Sequence, residues 1–199
     1  MRIGIDIDGV LADFNSAFIQ RCIDVTGQDL FPPRPFDIPT WHYPQHYGYS
    51  EEALAYPNGP VWASVIADES FWYTLYPYDG VPEFLSRLDC SAHDFYFITN
   101  RPGKTAKSQT ENWIEFHNFG LKTEAFSYPT VLLASDKGAV CKALGIDLYI
   151  DDKTENCLDV NHVSPKTRTI MLARPWNTAQ PGILRVESLD QFAAFIDPA

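Results

Sequence analysis

Five short apolar runs rich in β-branched and aromatic residues punctuate the chain: RIGID (2–6), DFYFIT (94–99), TVLLA (130–134), DLYID (147–151) and TIMLA (169–173). Runs of this length and composition predict strands. The segments between them carry helical periodicity. VPEFLSRLD has Pro82 near its start and sets Phe84, Leu85 and Leu88 on one face. TAKSQTENWIEFHNFG carries Trp113, Ile114 and Phe116 and stops at Gly120, DKGAVCKALG stops at Gly145, and SLDQFAAFI follows near the end. A glycine just past the last helical turn is a common stop signal. Strands that alternate with helices predict an α/β fold, a Rossmann-like parallel sheet with helices on both faces. In such sheets ligands bind at the carboxyl ends of the strands.

Residues 15–78 break this rhythm. They begin with a helical run, SAFIQRCIDVTG, and continue into FPPRPFDIPTWHYPQHYGYSEEALAYPNGPVW, rich in Pro, Tyr, Trp and His. A structureless loop of that length is improbable inside a compact domain. The pattern predicts a small, mainly helical cap at 15–78, inserted after the first strand of a core formed by 1–14 and 79–199.

Composition narrows the partners. The 199 residues suffice for one cored domain plus a small insertion, and 45% hydrophobic with 14% aromatic residues describes a globular chain. A net charge of −11 argues against a surface that coats DNA or RNA, which needs a basic patch. No apolar run approaches the ~20 residues that span a bilayer, and RIGIDIDGV, broken by charges, is a poor export signal. A cytoplasmic location is therefore expected, with Cys22, Cys90, Cys141 and Cys157 as reduced thiols, since none forms a C-x-x-C pair. An anionic substrate would need a local cation to overcome the global field. The oligomeric state is open, and a homodimer is compatible with such a chain.

The chemistry collects where the strands end. The first runs into Asp6-Ile7-Asp8-Gly9, DFYFI into Thr99-Asn100-Arg101, TVLLAS into Asp136-Lys137-Gly138, and DLYI into Asp151-Asp152. Strand positions two apart share a face, so Asp6 and Asp8 are held close and repel. A parallel sheet would gather all four ends at one edge. Clustered acids there suit a hard, oxygen-seeking cation, and Mg²⁺ prefers one or two carboxylates plus phosphate oxygens and water.

In order, DIDGV, ITN, SDKG and IDD resemble the four motifs of the haloacid dehalogenase-like phosphohydrolases, across the whole sheet domain. DIDGVLADFNSAF, FWYTLYPYDGVPEFL, NWIEFHNFG and SDKGAV…LYIDD are more specifically similar to the 5′(3′)-deoxyribonucleotidases, although ITNRP departs from their usual Thr-Ser pair. The resemblance implies a Mg²⁺-dependent phosphomonoesterase acting on a small phosphomonoester, a (deoxy)nucleoside monophosphate. It makes Asp6 the nucleophile that forms an aspartyl-phosphate and Asp8 the acid and base of the two half-reactions. It assigns the cation to the Asp6 side chain, the Asp8 main-chain carbonyl and Asp152, with Asp151 beside it. Thr99 and Lys137 would hold phosphoryl oxygens, with Arg101 and Asn100 as further substrate contacts. Phe14 matches a phenylalanine that lines the nucleobase pocket in that family.

Competing readings remain for several of these residues. Asp151 and Asp152 could cap the helix KTENCLDV, Lys142 competes with Lys137, and Thr99 could be a turn residue. Trp41, His42, Tyr43, His46 and Tyr47 could stack a base or build the cap's own core; Phe71 and Trp72 are second choices for the base. His42, His46, His93, His117 and His162 show no metal-ligand spacing. ARPWN (173–177) is either a substrate-side loop or a plain turn. Alternative functions are a phosphatase of a phosphosugar or other small metabolite, and a non-catalytic relative, which would be expected to lack an acid or the lysine.

Overall fold

The structure, a computed structural model, describes residues 1–89, 93–117 and 130–196. Cys90 and the helix stop at Gly120 lie outside the described residues. All five expected strands form: β1 (Arg2–Ile5), β2 (Asp94–Thr99), β3 (Thr130–Leu133), β4 (Leu148–Asp151) and β5 (Arg168–Leu172). A sixth, β6 (Leu184–Val186), joins at the edge, giving the order β3-β2-β1-β4-β5-β6 with every pairing parallel. At three residues β6 is too short to show a period. It is made by pairing with β5, where Ala173 N–H donates to the Val186 carbonyl at 2.7 Å.

Alternation along each strand separates two cores. Ile3, Ile5, Phe97, Leu148, Ile150 and Ile170 face one side. There they pack with α1 (Phe14–Thr26), α5 (Val81–Asp89), α6 (Ala106–His117) and α9 (Leu189–Ile196). Ile98 and Tyr149 face the other side, with α7 (Lys137–Leu144) and α8 (Thr154–Val163) over them. Gly4 sits on that second face. A Cβ there would lie 2.8 Å from Tyr149 Cδ2, so its missing side chain makes room for the tyrosine ring.

Residues 15–78 add no strand to the sheet. They hold α1 and the short helices α2 (Tyr43–His46), α3 (Glu51–Leu54) and α4 (Pro60–Ala67). The two ends of the excursion are laced together: Asp13 N–H donates to the Tyr76 carbonyl at 2.8 Å and Tyr78 N–H to the Leu11 carbonyl at 2.9 Å. Asp13 accepts from Ser16 N–H as the α1 N-cap, and Gly27 ends the helix in the left-handed region. An aromatic cluster holds the segment, with Phe31 ring-to-ring against Phe36, Tyr43, Tyr47 and Tyr49. Tyr43 and Tyr47 are thereby committed to packing.

Candidate active site

Register brings the strand ends together. Ile5 lies level with Phe97 on one side and Ile150 on the other. The next residue of β1, Asp6, therefore emerges beside Asp151, and its N–H donates to the Ile150 carbonyl at 3.0 Å. The turn that follows brings Asp8 to Thr99, whose hydroxyl donates to Asp8 Oδ2 at 3.3 Å. Lys137, the first residue of α7, reaches down between the two middle strands. Its Nζ lies 2.6 Å from Asp6 Oδ1 and 2.9 Å from Asp151 Oδ2, with the side chain almost wholly buried. Lys142, by contrast, is exposed on the same helix.

Asp151 is the most heavily held carboxylate. It accepts from Lys137, the Tyr149 hydroxyl, the Lys153 N–H at 2.8 Å and Asn156 Nδ2 at 3.0 and 3.1 Å. Asp152 is the opposite case: Oδ2 accepts from Trp176 Nε1 at 2.7 Å, while Oδ1 is buried with no partner. No side chain caps α8, so neither acid serves as its N-cap.

Burial of these charges shifts their titration. Burial raises the Asp6 pKa to about 7, helped by the negative Asp151 and opposed by Lys137. Asp152 is pushed well above the usual carboxylate range by burial, then by Asp151 and Asp6. Burial works against the Lys137 charge, but Asp151 and Asp6 outweigh it and its pKa rises. Lys137 bridges Asp6 and Asp151, and Lys153 opposes the rise at Asp152. Carboxylate oxygens of Asp6, Asp151 and Asp152 converge within 4.8 Å of one another. This all-oxygen donor set with an unpartnered Asp152 Oδ1 fits a hard divalent cation.

Gly9 lies against Asp152. Its φ of +87° is left-handed, and a Cβ would lie 2.2 Å from Asp152 Oδ2. Only a residue without a side chain lets this turn lie against that carboxylate.

Above Asp6 opens a cleft of about 220 Å³ whose polar floor is Asp6, Asp8, Thr99, Asn100, Ser135 and Lys137. Phe14, Trp41, Tyr56, Trp62, Trp72 and Pro102 form an apolar wall, and Lys153 and Asn156 close the rim. Phe14 lies nearly parallel to Trp41, Trp62 and Trp72, at 18°, 17° and 16°. Phe71 lines no part of this cleft; it packs edge-on against Phe14 and Trp72. Arg101 is also off the cleft wall. Its side chain is fully buried, forking Asp8 and donating from Nη1 to Thr110 Oγ1 at 2.9 Å.

Tyr56, Trp62, Ser135, Lys153 and Asn156 were not singled out from the sequence. Lys153 and Asn156 follow IDD at the first turn of α8, an offset that could have flagged them. Tyr56 and Trp62 carried no signal beyond general aromaticity.

A parallel sheet that presents Asp-x-Asp, Thr, Lys and an Asp pair at one edge defines a haloacid dehalogenase-like hydrolase. The fold superposes on the HAD-hydrolase YfnB of Bacillus subtilis over 98% of both chains (TM-score 0.60, 12% identity). It matches a HAD family hydrolase of Deinococcus radiodurans over 98% of this chain and 94% of that one (TM-score 0.60, 15% identity). Residues 1–197 match the family of 5′ nucleotidase, deoxy (pyrimidine), cytosolic type C proteins, and the chain belongs to that family. It is accordingly an enzyme, a phosphomonoester hydrolase of the 5′-nucleotidase kind. A nucleotidase-like protein of Bacillus cereus is 24% identical over 157 residues, 77% of each chain. The mitochondrial 5′(3′)-deoxyribonucleotidase of Mus musculus is 26% identical over 162 residues, 78% of this chain and 66% of that one. Among the described residues no helix is long and apolar enough to cross a membrane.

Proposed function

We propose that this enzyme dephosphorylates (deoxy)nucleoside monophosphates, with Mg²⁺, through an aspartyl-phosphate on Asp6. The observation that carries the reading is the juxtaposition of the Asp6–Lys137 pair, 2.6 Å apart, with the aromatic wall around Phe14 in one cleft. A phosphate on that floor would leave the attached nucleoside against Phe14 and Trp41, and aromatic faces stack any base.

In the first half-reaction an Asp6 oxygen bonds to phosphorus while the ester P–O bond breaks. Asp8 gives its proton to the departing alkoxide oxygen. In the second, Asp8 takes a proton from the attacking water, whose oxygen bonds to phosphorus, and the Asp6–phosphorus bond breaks. One carboxyl group serves both because the steps use opposite protonation states. Thr99 and Lys137 hold phosphoryl oxygens against Asp6, and Lys137 carries positive charge to the transferring group. The Asp6 and Asp152 carboxylates and the Asp8 main-chain carbonyl would hold Mg²⁺, with Asp151 behind them fixing Lys137. The cation would supply the charge that lets an anionic nucleophile approach an anionic phosphate. Residues 15–78 act as the cap that presents the aromatic wall.

The test is phosphate release from a panel of nucleoside monophosphates, sugar phosphates and simple phosphomonoesters, alongside Asp6→Asn. Nucleotides are expected to be the best substrates. Asp6→Asn is expected to lose on the order of 10³-fold or more of the turnover. Sugar phosphates turned over as well as nucleotides would overturn the substrate class, and a fully active Asp6→Asn would overturn the nucleophile.

A further inference from the structure

The segment after β5, Ala173-Arg174-Pro175-Trp176-Asn177, touches the site from outside the cleft floor. Arg174 anchors it: Nε donates to the Gly9 carbonyl at 2.6 Å, Nη2 to the Val10 carbonyl at 3.2 Å, and the guanidinium lies 3.9 Å from the Tyr78 ring centroid. Asn177 anchors the other end, donating from Nδ2 to the carbonyls of Asp152 at 2.7 Å and Leu172 at 2.8 Å. Arg185 in turn donates to Asn177 Oδ1 at 3.2 Å. Both flanks of Trp176 are therefore pinned, one to the Asp-x-Asp-Gly turn and the other to the Asp152 backbone.

Trp176 itself has little freedom left. Its ring meets Trp41 at 64° with centroids 5.9 Å apart, and its Nε1–H donates to Asp152 Oδ2 at 2.7 Å. Among the described residues that bond is the one side-chain hydrogen bond to the Asp152 carboxylate, and it leaves Oδ1 buried and unpartnered. An indole N–H is a neutral donor. It can hold one oxygen of a carboxylate without neutralising the charge that a cation on the other oxygen needs. A lysine or arginine at that position would compete with the cation.

We propose that Trp176 is a positioning residue: its indole N–H sets the Asp152 carboxylate so that Oδ1 is delivered to the divalent cation. This rests on the reading of Asp152 as a cation ligand. Outer groups of this kind commonly govern ~10–100-fold in metal affinity. Trp176→Phe removes the donor and keeps an aromatic ring against Trp41.

The experiment is Mg²⁺ titration by calorimetry of the full chain and of Trp176→Phe, with melting temperatures of both in chelator. The expected result is ~10–100-fold weaker Mg²⁺ binding by the variant, which still melts cooperatively in chelator, at a somewhat lower temperature because a buried acceptor has lost its partner. Equal Mg²⁺ affinity in the two proteins would overturn the role of Trp176 and leave the cation site standing. A native chain that binds no Mg²⁺ would overturn the site and, with it, this inference.

A second measurement does not depend on the variant folding. The native chain has five tryptophans, whose indole ¹⁵N–¹H resonances can be followed through the Mg²⁺ titration. The Trp176 resonance is expected to move, while that of Trp113, whose Nε1 donates to the Leu75 carbonyl at 2.7 Å, stays fixed as a reference. A Trp176 resonance unmoved at saturating Mg²⁺ would overturn the proposal.

Discussion

Arg101 grips Asp8 from both edges of the carboxylate: Nε lies 3.1 Å from Oδ1 and 3.0 Å from Oδ2, and Nη2 lies 2.7 Å from Oδ1. The guanidinium also stands over the Trp72 ring, 5.1 Å from its centroid, so the cation is packed as well as paired. A planar fork of this kind fixes the direction of a carboxylate in a way that a lysine, a point charge, does not.

On the proposed role of Asp8, Arg101→Lys keeps the charge and loses the fork, so kcat should fall by about 10- to 100-fold while KM changes little, general acid–base catalysis being worth ~10²–10⁴ in all. Arg101→Gln leaves Asp8 without its buried partner and should also destabilise the fold, by roughly 3–5 kcal/mol. Steady-state kinetics and chemical denaturation of both variants test this; a native kcat in Arg101→Lys would refute it.

Gly9→Ala should be inactive and less stable. The new Cβ would meet Asp152 Oδ2 at 2.2 Å in a left-handed backbone, so either the turn or the carboxylate must move. Mg²⁺ affinity, measured together with the melting temperature, should fall in this variant, and unchanged values for both would contradict the packing described.

The Asp6 pKa, raised by burial to about 7, predicts a pH dependence of the cation-free protein. The folded form holds a proton on Asp6 that the unfolded chain releases near the ordinary aspartate value of 3.8. This contribution to stability is complete at acid pH and is lost as pH rises through about 7. A cation on the same carboxylate competes with the proton. The Mg²⁺-induced rise in melting temperature should therefore be larger at pH 8 than at pH 5.5, read by thermal melts with and without chelator, and the reverse order would refute it.

Trp41→Ala should raise KM for nucleoside monophosphates by about 5- to 100-fold, since base–aromatic stacking is worth ~1–3 kcal/mol per base. For a phosphomonoester with no ring, kcat/KM should stay near the native value. Equal losses on both substrates would show that Trp41 supports the fold and not the base.

Much of the site was legible because it lies on local pattern. Asp6, Asp8, Thr99, Lys137, Asp151 and Asp152 each sit within four residues of an apolar strand end, and parallel register brings those ends together. The SDKG motif already favours Lys137 over Lys142, and in space Lys137 is the one whose Nζ reaches Asp6 while Lys142 is exposed. Phe14 stood out because it follows the first motif and matches a phenylalanine of the nucleobase pocket in the family that the motifs resemble. The other aromatics were opaque, because a tryptophan that lines a cleft and one that fills a core read alike. Trp41 lines the cleft, whereas Tyr43 and Tyr47 pack against Phe31 within residues 15–78.

Read along the chain, the pattern marks five of the six strands, the longer helices, the excursion at 15–78 and the acids and lysine at the strand ends, because strand and helix periods and strand-end chemistry are properties of neighbours along the chain. The partners of those groups emerge with the packed fold: Arg101 turns inward to fork Asp8, Phe71 packs behind the cleft, and Trp176, 24 residues past Asp152, takes one of its oxygens. Those are contacts across long sequence separations. They depend on which side chains fill a shared volume and which buried charges must be paired, and no local pattern encodes either.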